Sequence, residues 1–287
     1  MKKVLMIVNP ISGNIDKFPI IKQVQHLLHQ KVELCIFTTS GDGDIRLLEL
    51  RIQEFGPDRL LVVGGDGTIK LAAEAGYKKK MEIGILPMGS ANGLATDLDI
   101  PKSLEQALQV ALGKNLMAVD IIEIADSIGL HISDIGINAE LIANFSQNKI
   151  RGHFGYFLNT IPTLLRTKAP YKFSVSANNK TLHFKAIMVA IANSKKFGTG
   201  TIINPEGKIN DGEIEIIIFK KLDIVNILKT IGGEVKLNSD FVEIIKTKEV
   251  TIKAERPVDF QIDGEHFGQT SNIYACVKPG AIKIAIP

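Results

Sequence analysis

Three glycine-rich segments with polar residues inside them lie in the first third of the chain. They read Asn9-Pro10-Ile11-Ser12-Gly13, Gly64-Gly65-Asp66-Gly67-Thr68 and Pro87-Met88-Gly89-Ser90-Ala91-Asn92-Gly93. Glycines allow backbone N–H groups to approach an anion without a β-carbon in the way. Hydroxyl, amide and carboxylate side chains in the same loops can bind phosphate oxygens or a metal ion. The segments therefore predict a phosphate-binding site, although a single loop of this kind is usually structural.

The elements around these segments follow a regular alternation up to about residue 115. Short apolar runs predict strands at KVLMIVN, VELCIFTT, RLLVVGG and EIGILPMG, and helical spacing separates them. Such βαβ units indicate a parallel sheet with covered faces. Ligands bind beyond the carboxyl ends of the strands in sheets of this type. The three glycine-rich segments lie at those ends.

The pattern changes at about residue 117, where strand candidates begin to follow one another. KFSVSANNKTLHF predicts a hairpin around Asn178 and Asn179, and further strands are predicted at KAIMVAIAN, EIEIIIF, EVTIKA, PVDFQID, SNIYACV and AIKIAIP. Strands in succession favour a β-rich antiparallel sandwich. We therefore predict an N-terminal α/β domain over residues 1–120 and a β-rich domain over residues 121–277.

Composition narrows the functional classes. The 287 residues carry a net charge of +3, which is too mild to argue for nucleic-acid binding. No stretch approaches the roughly 18 apolar residues of a membrane span, so a soluble, cytoplasmic protein is expected, with Cys35 and Cys276 as buried thiols. The chain has neither G-x-x-x-x-G-K-[ST] nor a G-x-G-x-x-G after its first strand, which argues against P-loop and dinucleotide-binding folds. The six histidines show no spacing typical of a zinc site.

NPISG, GGDGT and LPMGSANGLA, in this order, resemble the diacylglycerol kinase catalytic-domain family, which includes bacterial soluble lipid kinases and sphingosine kinases. GGDGT is shared with NAD kinases, but the combination is specific to the lipid kinases. Downstream, the segment from Asn193 to KINDGEIEI and the late FQIDGEHF also resemble family motifs. The resemblance implies a nucleotide-binding α/β domain, a β-rich lipid-substrate domain, and a last strand, about 278–287, that returns to the first domain.

The same resemblance implies an ATP- and Mg²⁺-dependent kinase that phosphorylates a hydroxyl of a diacylglycerol-like or sphingoid lipid at a membrane surface. The implied nucleotide-binding residues are Asn9, Ser12, Gly13, Thr39, Gly64, Gly65, Asp66, Gly67, Thr68, Gly89, Ser90 and Asn92. Thr68 and Ser90 are expected just inside helices, where they can cap the helix or bind phosphate. For Thr39, a simple turn position is the alternative.

For the metal, the resemblance implies Asp211 with the backbone carbonyls of Lys208 and Glu213, although Asn-Asp-Gly before a strand is also an ordinary turn. Two acids compete for the role of general base. Glu265 matches the proton acceptor of bacterial relatives, and Asp66 matches that of sphingosine kinases. We favour Glu265, with Asp66 supporting the nucleotide and metal and Asp263 orienting the loop.

One departure from the family pattern leaves the acceptor open. Bacterial members usually read GTxND, whereas this chain has Gly93 in place of the aspartate, as in the sphingosine-kinase variant. Lys149–Lys168 is a candidate for an acyl-chain pocket or a membrane contact, and core packing is its alternative. Two other functions stay open: a kinase acting on a soluble acceptor such as NAD, and a non-catalytic nucleotide- or lipid-binding sensor. A homodimer and peripheral contact with the inner membrane face are further expectations.

Overall fold

The computed structural model describes residues 2–140, 142, 170–197, 201–202, 204–221 and 242–287. The candidate acyl-chain segment Lys149–Lys168 lies outside the described residues, as does the run DIVNILKTIGGEV, whose apolar spacing predicts a helix. The chain divides into two compact units. The first contains Met1–Ile121 and Lys278–Pro287, and the second contains Ile122–Val277.

The first unit is a parallel α/β sheet. Its strands are β1 (Lys2–Val8), β2 (Val32–Thr38), β3 (Arg59–Gly64) and β4 (Glu82–Pro87), and its helices are α1 (Phe18–Leu28), α2 (Asp44–Phe55), α3 (Asp66–Gly76), α4 (Gly93–Asp97) and α5 (Leu104–Ala111). The strand order is β2-β1-β3-β4, and every pairing along it is parallel. The predicted parallel sheet is therefore confirmed.

Sequence pattern explains why these elements form. Every residue of β3 is buried, as expected for a strand covered on both faces. In α2 the buried residues are Asp44, Leu48 and Ile52, spaced by four so that they form one stripe along the helix. The helix ends at Gly56, whose φ of 60° is the left-handed conformation favoured at a helix C-terminus.

The second unit is built from antiparallel strands. Its strands, two of which cross the boundary, are β5 (Leu116–Ile124), β6 (Ser127–Gly129), β7 (Ile132–Gly136), β8 (Tyr171–Ala177), β9 (Lys180–Ala186), β10 (Met188–Ala192), β11 (Lys196–Phe197), β12 (Thr201–Ile202), β13 (Ile214–Phe219), β14 (Val242–Thr247), β15 (Glu249–Ile262) and β16 (Glu265–Ala285). The main order is β14-β13-β10-β7-β15-β16, and the β8–β9 hairpin pairs with β15.

Side chains alternate across this sheet. In β13, Ile214, Ile216 and Ile218 pack into one hydrophobic cluster, whereas Ile217 and Phe219 pack into another. The period of two is that of a pleated strand with both faces covered. The expected β-rich antiparallel architecture is thus confirmed, as is the hairpin turn at Asn178 and Asn179, where both residues have positive φ.

Two pairs of predicted strands are single strands in the structure. EVTIKA and PVDFQID both lie in β15, and SNIYACV and AIKIAIP both lie in β16. The expected break at Pro257 is wrong because β15 changes register against β16 between Lys253 and Val258, which accommodates a residue without a backbone N–H. The last residues of β16 pair in parallel with β4, at Lys283 opposite Glu82.

Three further expectations from composition can be compared with the structure. Cys35 and Cys276 are free thiols, and both are partly rather than fully buried. None of the helices in the described ranges is long and apolar enough to cross a membrane. Those same ranges contain no group of three or more His, Cys, Asp or Glu side chains arranged to hold a metal ion.

Candidate active site

The three glycine-rich segments meet through their backbones in the first unit. A β-carbon added to Gly89 would lie 2.3 Å from the Cα atom of Gly65, and one added to Gly13 would lie 2.7 Å from the carbonyl oxygen of Met88. Real β-carbons essentially never approach so closely. The contact therefore requires glycine on each segment, and it places the ends of β1, β3 and β4 in one continuous surface.

Asp66 ties two of these segments together. It is the first residue of α3, and its carboxylate oxygens accept hydrogen bonds from the backbone N–H groups of Gly93 at 2.9 Å and Leu94 at 3.0 Å. These two amides begin α4, where N–H groups lack partners inside the helix. Asp66 thus caps a neighbouring helix, and its negative charge faces the positive end of that helix dipole.

Asn92 closes the third segment on itself. Its side-chain oxygen accepts a hydrogen bond from the Gly89 N–H at 2.8 Å, and its side-chain nitrogen donates to the Gly89 carbonyl at 2.9 Å. Asn92 has a φ of 53°, a left-handed conformation that asparagine tolerates better than most residues. The amide therefore fixes the turn that brings Gly89 against Gly65.

The first segment is held by Asn9 and Lys17. The Asn9 side-chain oxygen accepts the Ile11 N–H at 3.1 Å. The Lys17 ammonium donates to the Ser12 carbonyl and, at 3.2 Å, to the Ile15 carbonyl, although only 2% of the residue is exposed. Burial lowers the pKa of Lys17, against the opposing effect of the Asp16 carboxylate. A buried cation beside this loop favours an anionic ligand.

Thr39 follows β2 and hydrogen-bonds to the neighbouring strand, its N–H donating to the Val8 carbonyl at 2.9 Å. The next loop is fixed by Asp44, whose carboxylate accepts the N–H groups of Ser40 and Gly41 and the Ser40 hydroxyl. Burial acts to raise the pKa of Asp44, but these hydrogen bonds outweigh it and leave the pKa below its usual value. The loop after Thr39 is therefore rigidly capped.

The remaining predicted nucleotide contacts differ in exposure. Gly67 and Ser90 are exposed, whereas Thr68 is only 3% exposed, because its side chain packs over Gly64. The expectation that Ser90 lies just inside a helix is wrong, because α4 begins at Gly93. Asn92, in its left-handed conformation, delays the helix start. Backbone groups and exposed side chains, rather than the Thr68 hydroxyl, thus form the accessible part of this surface.

In the second unit, Asp263 and Gly264 form the two-residue turn between β15 and β16. Both have positive φ, 51° and 89°, as in the tight turns that match strand twist. The Asp263 carboxylate accepts the backbone N–H groups of Leu130 at 2.7 Å and His131 at 2.9 Å. Glu265, the first residue of β16, is exposed. The hydrogen bonds of Asp263 therefore fix the turn that precedes the exposed Glu265.

A buried carboxylate that sequence reasoning missed lies near this turn in the hydrogen-bond network. Asp134 in β7 is 1% exposed and accepts hydrogen bonds from Asn138, Gln261 and the Ala139 N–H. Burial raises the pKa of Asp134 to about 6, against the lowering effect of these donors. The available signal was a single acid inside the apolar run ISDIGIN, which sequence reasoning passed over.

The predicted metal residue Asp211 belongs to an ionic cluster. The Lys246 ammonium lies 2.8 Å from Asp211, 3.2 Å from Glu213 and 3.8 Å from Glu215. Hydrogen bonds to Asp211 and Glu213 raise the pKa of Lys246. The cluster combines three carboxylates with one ammonium, which lies against the Asp211 carboxylate. Within the described residues, these carboxylates are not arranged as a group that could hold a metal ion by side chains alone.

Comparison with known proteins places this geometry in a family. Residues 3–124 match the model of the diacylglycerol kinase catalytic domain, and residues 133–286 match that of the YegS C-terminal NAD kinase beta sandwich-like domain. The chain is 26% identical over 292 residues to "Probable lipid kinase YegS" of Escherichia coli strain K12 / DH10B, covering 99% of this chain and 95% of the relative. The Salmonella arizonae protein of the same name is 26% identical over 290 residues, with the same coverage of each chain.

Solved structures show the same fold. A diacylglycerol kinase from Bacillus anthracis strain Sterne superposes with a TM-score of 0.77 at 20% identity, covering 100% of this chain and 97% of that one. The fold class and the family resemblance predicted from the sequence are confirmed. The chain belongs to the diacylglycerol kinase catalytic-domain family, in the form in which that domain is followed by a YegS-type β-sandwich-like domain.

Proposed function

We propose that this chain is an ATP-dependent lipid kinase. It transfers the γ-phosphoryl group of ATP to a lipid hydroxyl, so that a new P–O bond forms, the bond to the β-phosphate breaks and ADP leaves. The observation that carries the proposal is the contact of Gly13, Gly65 and Gly89 in a chain of this kinase family. Phosphoryl transfer relies mainly on positioning and charge neutralisation, which fixed backbone donors can supply.

The first unit provides the nucleotide site in this proposal. Backbone N–H groups of the glycine segments and the N-terminus of α3 would hold the phosphates, with the buried Lys17 ammonium adding positive potential. Ser12 and Ser90 lie in these loops, and Thr39 follows β2. In this proposal all three side chains contact the nucleotide. Gly67 contributes an exposed backbone in the first turn of α3. Thr68 supports the loop from inside.

We assign the general base to Glu265 and a positioning role to Asp66. Both Asp66 oxygens already accept backbone N–H groups of α4, and losing either bond would loosen the surface on which the nucleotide sits. Glu265 is exposed on a turn that Asp263 and Gln261 hold. Proton acceptance by Glu265 would leave the lipid oxygen able to attack phosphorus.

The charge of the Lys246 cluster supports a Mg²⁺ site at Asp211, with the backbone carbonyls of Lys208 and Glu213 as further ligands. Mg²⁺ bound here would neutralise excess negative charge before β13. Glu213 and Asp211 already share a hydrogen bond, 3.2 Å from the Glu213 N–H to the Asp211 carboxylate, which shapes the turn. We treat the Mg²⁺ that accompanies ATP as a separate ion.

For the acceptor we propose a diacylglycerol-like or sphingoid lipid. Gly93 stands where bacterial relatives usually carry an aspartate, which favours testing both lipid classes together. Because such an acceptor resides in a bilayer and ATP is cytoplasmic, we place the protein in the cytoplasm with peripheral contact at the inner membrane face. We place the nucleotide in residues 1–120 with the last strand, and the lipid in residues 121–277.

Radiolabelled ATP provides the direct test. The purified chain is incubated with γ-³²P-labelled ATP, Mg²⁺ and mixed micelles containing diacylglycerol or sphingosine, with NAD as a soluble acceptor in a parallel reaction. We expect label in one lipid class, strongly reduced in Glu265→Gln and Asp66→Asn. Label in NAD without lipid would replace the proposal by the soluble-acceptor kinase. ATP binding without transfer to any acceptor would favour a sensor.

A further inference from the structure

Asp134 is a buried carboxylate that accepts hydrogen bonds from neutral groups. It lies in the middle of β7, opposite Ala190 of β10 and Gln261 of β15. Among the residues that the structure describes, the groups that donate hydrogen bonds to it are the side-chain amides of Asn138 and Gln261 and the Ala139 N–H, and none of them carries a charge. A buried carboxylate without a cationic partner costs free energy, and its raised pKa reflects that cost.

The hydrogen bonds of Asp134 set the direction of a neighbouring amide. An ionised carboxylate only accepts hydrogen bonds, so the Gln261 side chain must point its NH₂ group at Asp134. The same NH₂ group also donates to the Ile132 carbonyl at 3.3 Å. The Gln261 oxygen is then directed the other way, where it accepts the Gly264 N–H at 2.6 Å. Gly264 is the second residue of the turn that precedes Glu265. The orientation of the Gln261 amide, which Asp134 helps to set, therefore determines which side-chain atom faces the Gly264 N–H.

We propose that Asp134 is a positioning residue for Glu265, which it places by fixing the orientation of the Gln261 amide and, through it, the Gly264 N–H. The proposal rests on the assignment of Glu265 as general base. It adds a residue that does not touch substrate but determines where the base stands. Asp263 is the first residue of the same turn, and its carboxylate holds the turn by accepting the backbone N–H groups of Leu130 and His131. The turn is thus anchored at both of its residues.

We call the hydrogen-bonded path from Asp134 through Gln261 to the Gly264 N–H the relay. Exchanging its donors and acceptors gives a test whose result a mere loss of folding stability would not reproduce. In Asp134→Asn an NH₂ group replaces one carboxylate oxygen, and it faces either the Gln261 NH₂ group or the Ala139 N–H. In the first case, turning the Gln261 amide over would set its NH₂ group against the Gly264 N–H. In Gln261→Glu, two carboxylates face one another. The double variant Asp134→Asn/Gln261→Glu restores a donor facing an acceptor between the two side chains and at the Gly264 N–H, because the carboxylate introduced in β15 accepts from the amide introduced in β7 and from the Gly264 N–H. It also removes the donor to the Ile132 carbonyl.

We expect kcat for the lipid to fall about tenfold in each single variant, since a misplaced base forfeits part of a contribution of about 10²- to 10⁴-fold. KM for ATP should stay within twofold, because the nucleotide loops belong to the first unit. The double variant should recover kcat to within threefold of the unmodified chain. Ser133→Ala is the matched control: Ser133 is the buried neighbour of Asp134 in β7 and its hydroxyl makes no hydrogen bond among the described residues. Its kcat should not change.

Hydrogen exchange of the Gly264 amide, followed by NMR with ¹⁵N-glycine, tests the relay even where no lipid is phosphorylated. We expect at least tenfold faster exchange in Asp134→Asn and a return towards the original rate in the double variant. Absence of lipid kinase activity with this exchange pattern would overturn the proposed function and retain the relay. An Asp134→Asn variant with lowered Tm but unchanged kcat and unchanged Gly264 exchange would overturn the inference, as would a double variant that recovers neither.

Discussion

Replacing Gly89 by alanine should damage the nucleotide site by separating two loops. The added β-carbon would lie 2.3 Å from the Gly65 Cα, 2.8 Å from the Asn92 side-chain oxygen and 3.0 Å from the Gly65 nitrogen. Two of these three atoms belong to backbone, so no rotamer change can relieve the contact. The loops must separate by about 1 Å to reach an ordinary carbon–carbon contact.

The magnitude follows from that displacement. Overpacking of a well-packed site costs typically about 1–3 kcal/mol, and a backbone contact belongs near the upper end of that range. A misplacement of about 1 Å in a site that works by positioning costs on the order of 100-fold in rate, equivalent to about 2.7 kcal/mol of transition-state stabilisation. We therefore expect Gly89→Ala to lower kcat/KM for ATP about 100-fold.

Calorimetric ATP binding and the radiolabel assay measure the effect, and Gly56→Ala supplies the control. Gly56, unlike Gly89, has a left-handed conformation, with a φ of 60°, and a β-carbon there meets no atom within 4 Å. Gly56→Ala should therefore lose about 1–2 kcal/mol of stability through backbone strain and keep its ATP affinity. If Gly89→Ala binds and uses ATP like the unmodified chain at comparable stability, the nucleotide does not rest on this contact.

Three other variants test separate parts of the site. Glu265→Gln should lower kcat by about 10²- to 10⁴-fold and leave ATP affinity unchanged; calorimetry together with turnover checks both. Lys246→Met removes the ammonium that competes for Asp211, so Mn²⁺ titration should show tighter divalent binding, and unchanged binding would argue against the site. Burial raises the pKa of Asp134 from 3.8 to about 6. The contribution of Asp134 to the free energy of unfolding is therefore fully present below about pH 4, and about 3 kcal/mol of it is lost as the pH rises through about 6. Asp134→Asn should flatten that part of the urea-unfolding profile.

Local pattern was sufficient to predict the fold class. The alternation of apolar runs with helical spacing indicated the parallel sheet, and consecutive strands indicated the β-rich second unit. Strand continuity was harder, because Pro257 and the Pro279–Gly280 pair usually interrupt strands. Register shifts in β15 depend on the partner strand, which no local window contains. Proline and glycine usually mark the ends of strands in a sequence, but here they lie within continuous strands.

The proximity of the glycine-rich segments was predictable from the sequence, and their individual contacts were less so. Glycine spacing at strand ends identified Gly13, Gly65 and Gly89 because parallel strands bring their ends together. That Asp66 would bond the amides of Gly93 and Leu94 could not be read from sequence, since it depends on how two helices start beside one another. Long-range partners of single acids, such as Lys246 with Asp211, carry no sequence signal of their own.

The contacts also bear on the choice between the two candidate bases. A base must be protonated once in every turnover, and protonation removes negative charge from one carboxylate. On Asp66 that change would weaken the cap of α4, the same contact that joins two nucleotide loops, at the moment when the phosphates must be held. The turn that precedes Glu265 is held through other atoms, those of Asp263 and Gln261. Asp66 would have to serve both as a structural cap and as the proton acceptor, and we therefore favour Glu265 as the general base.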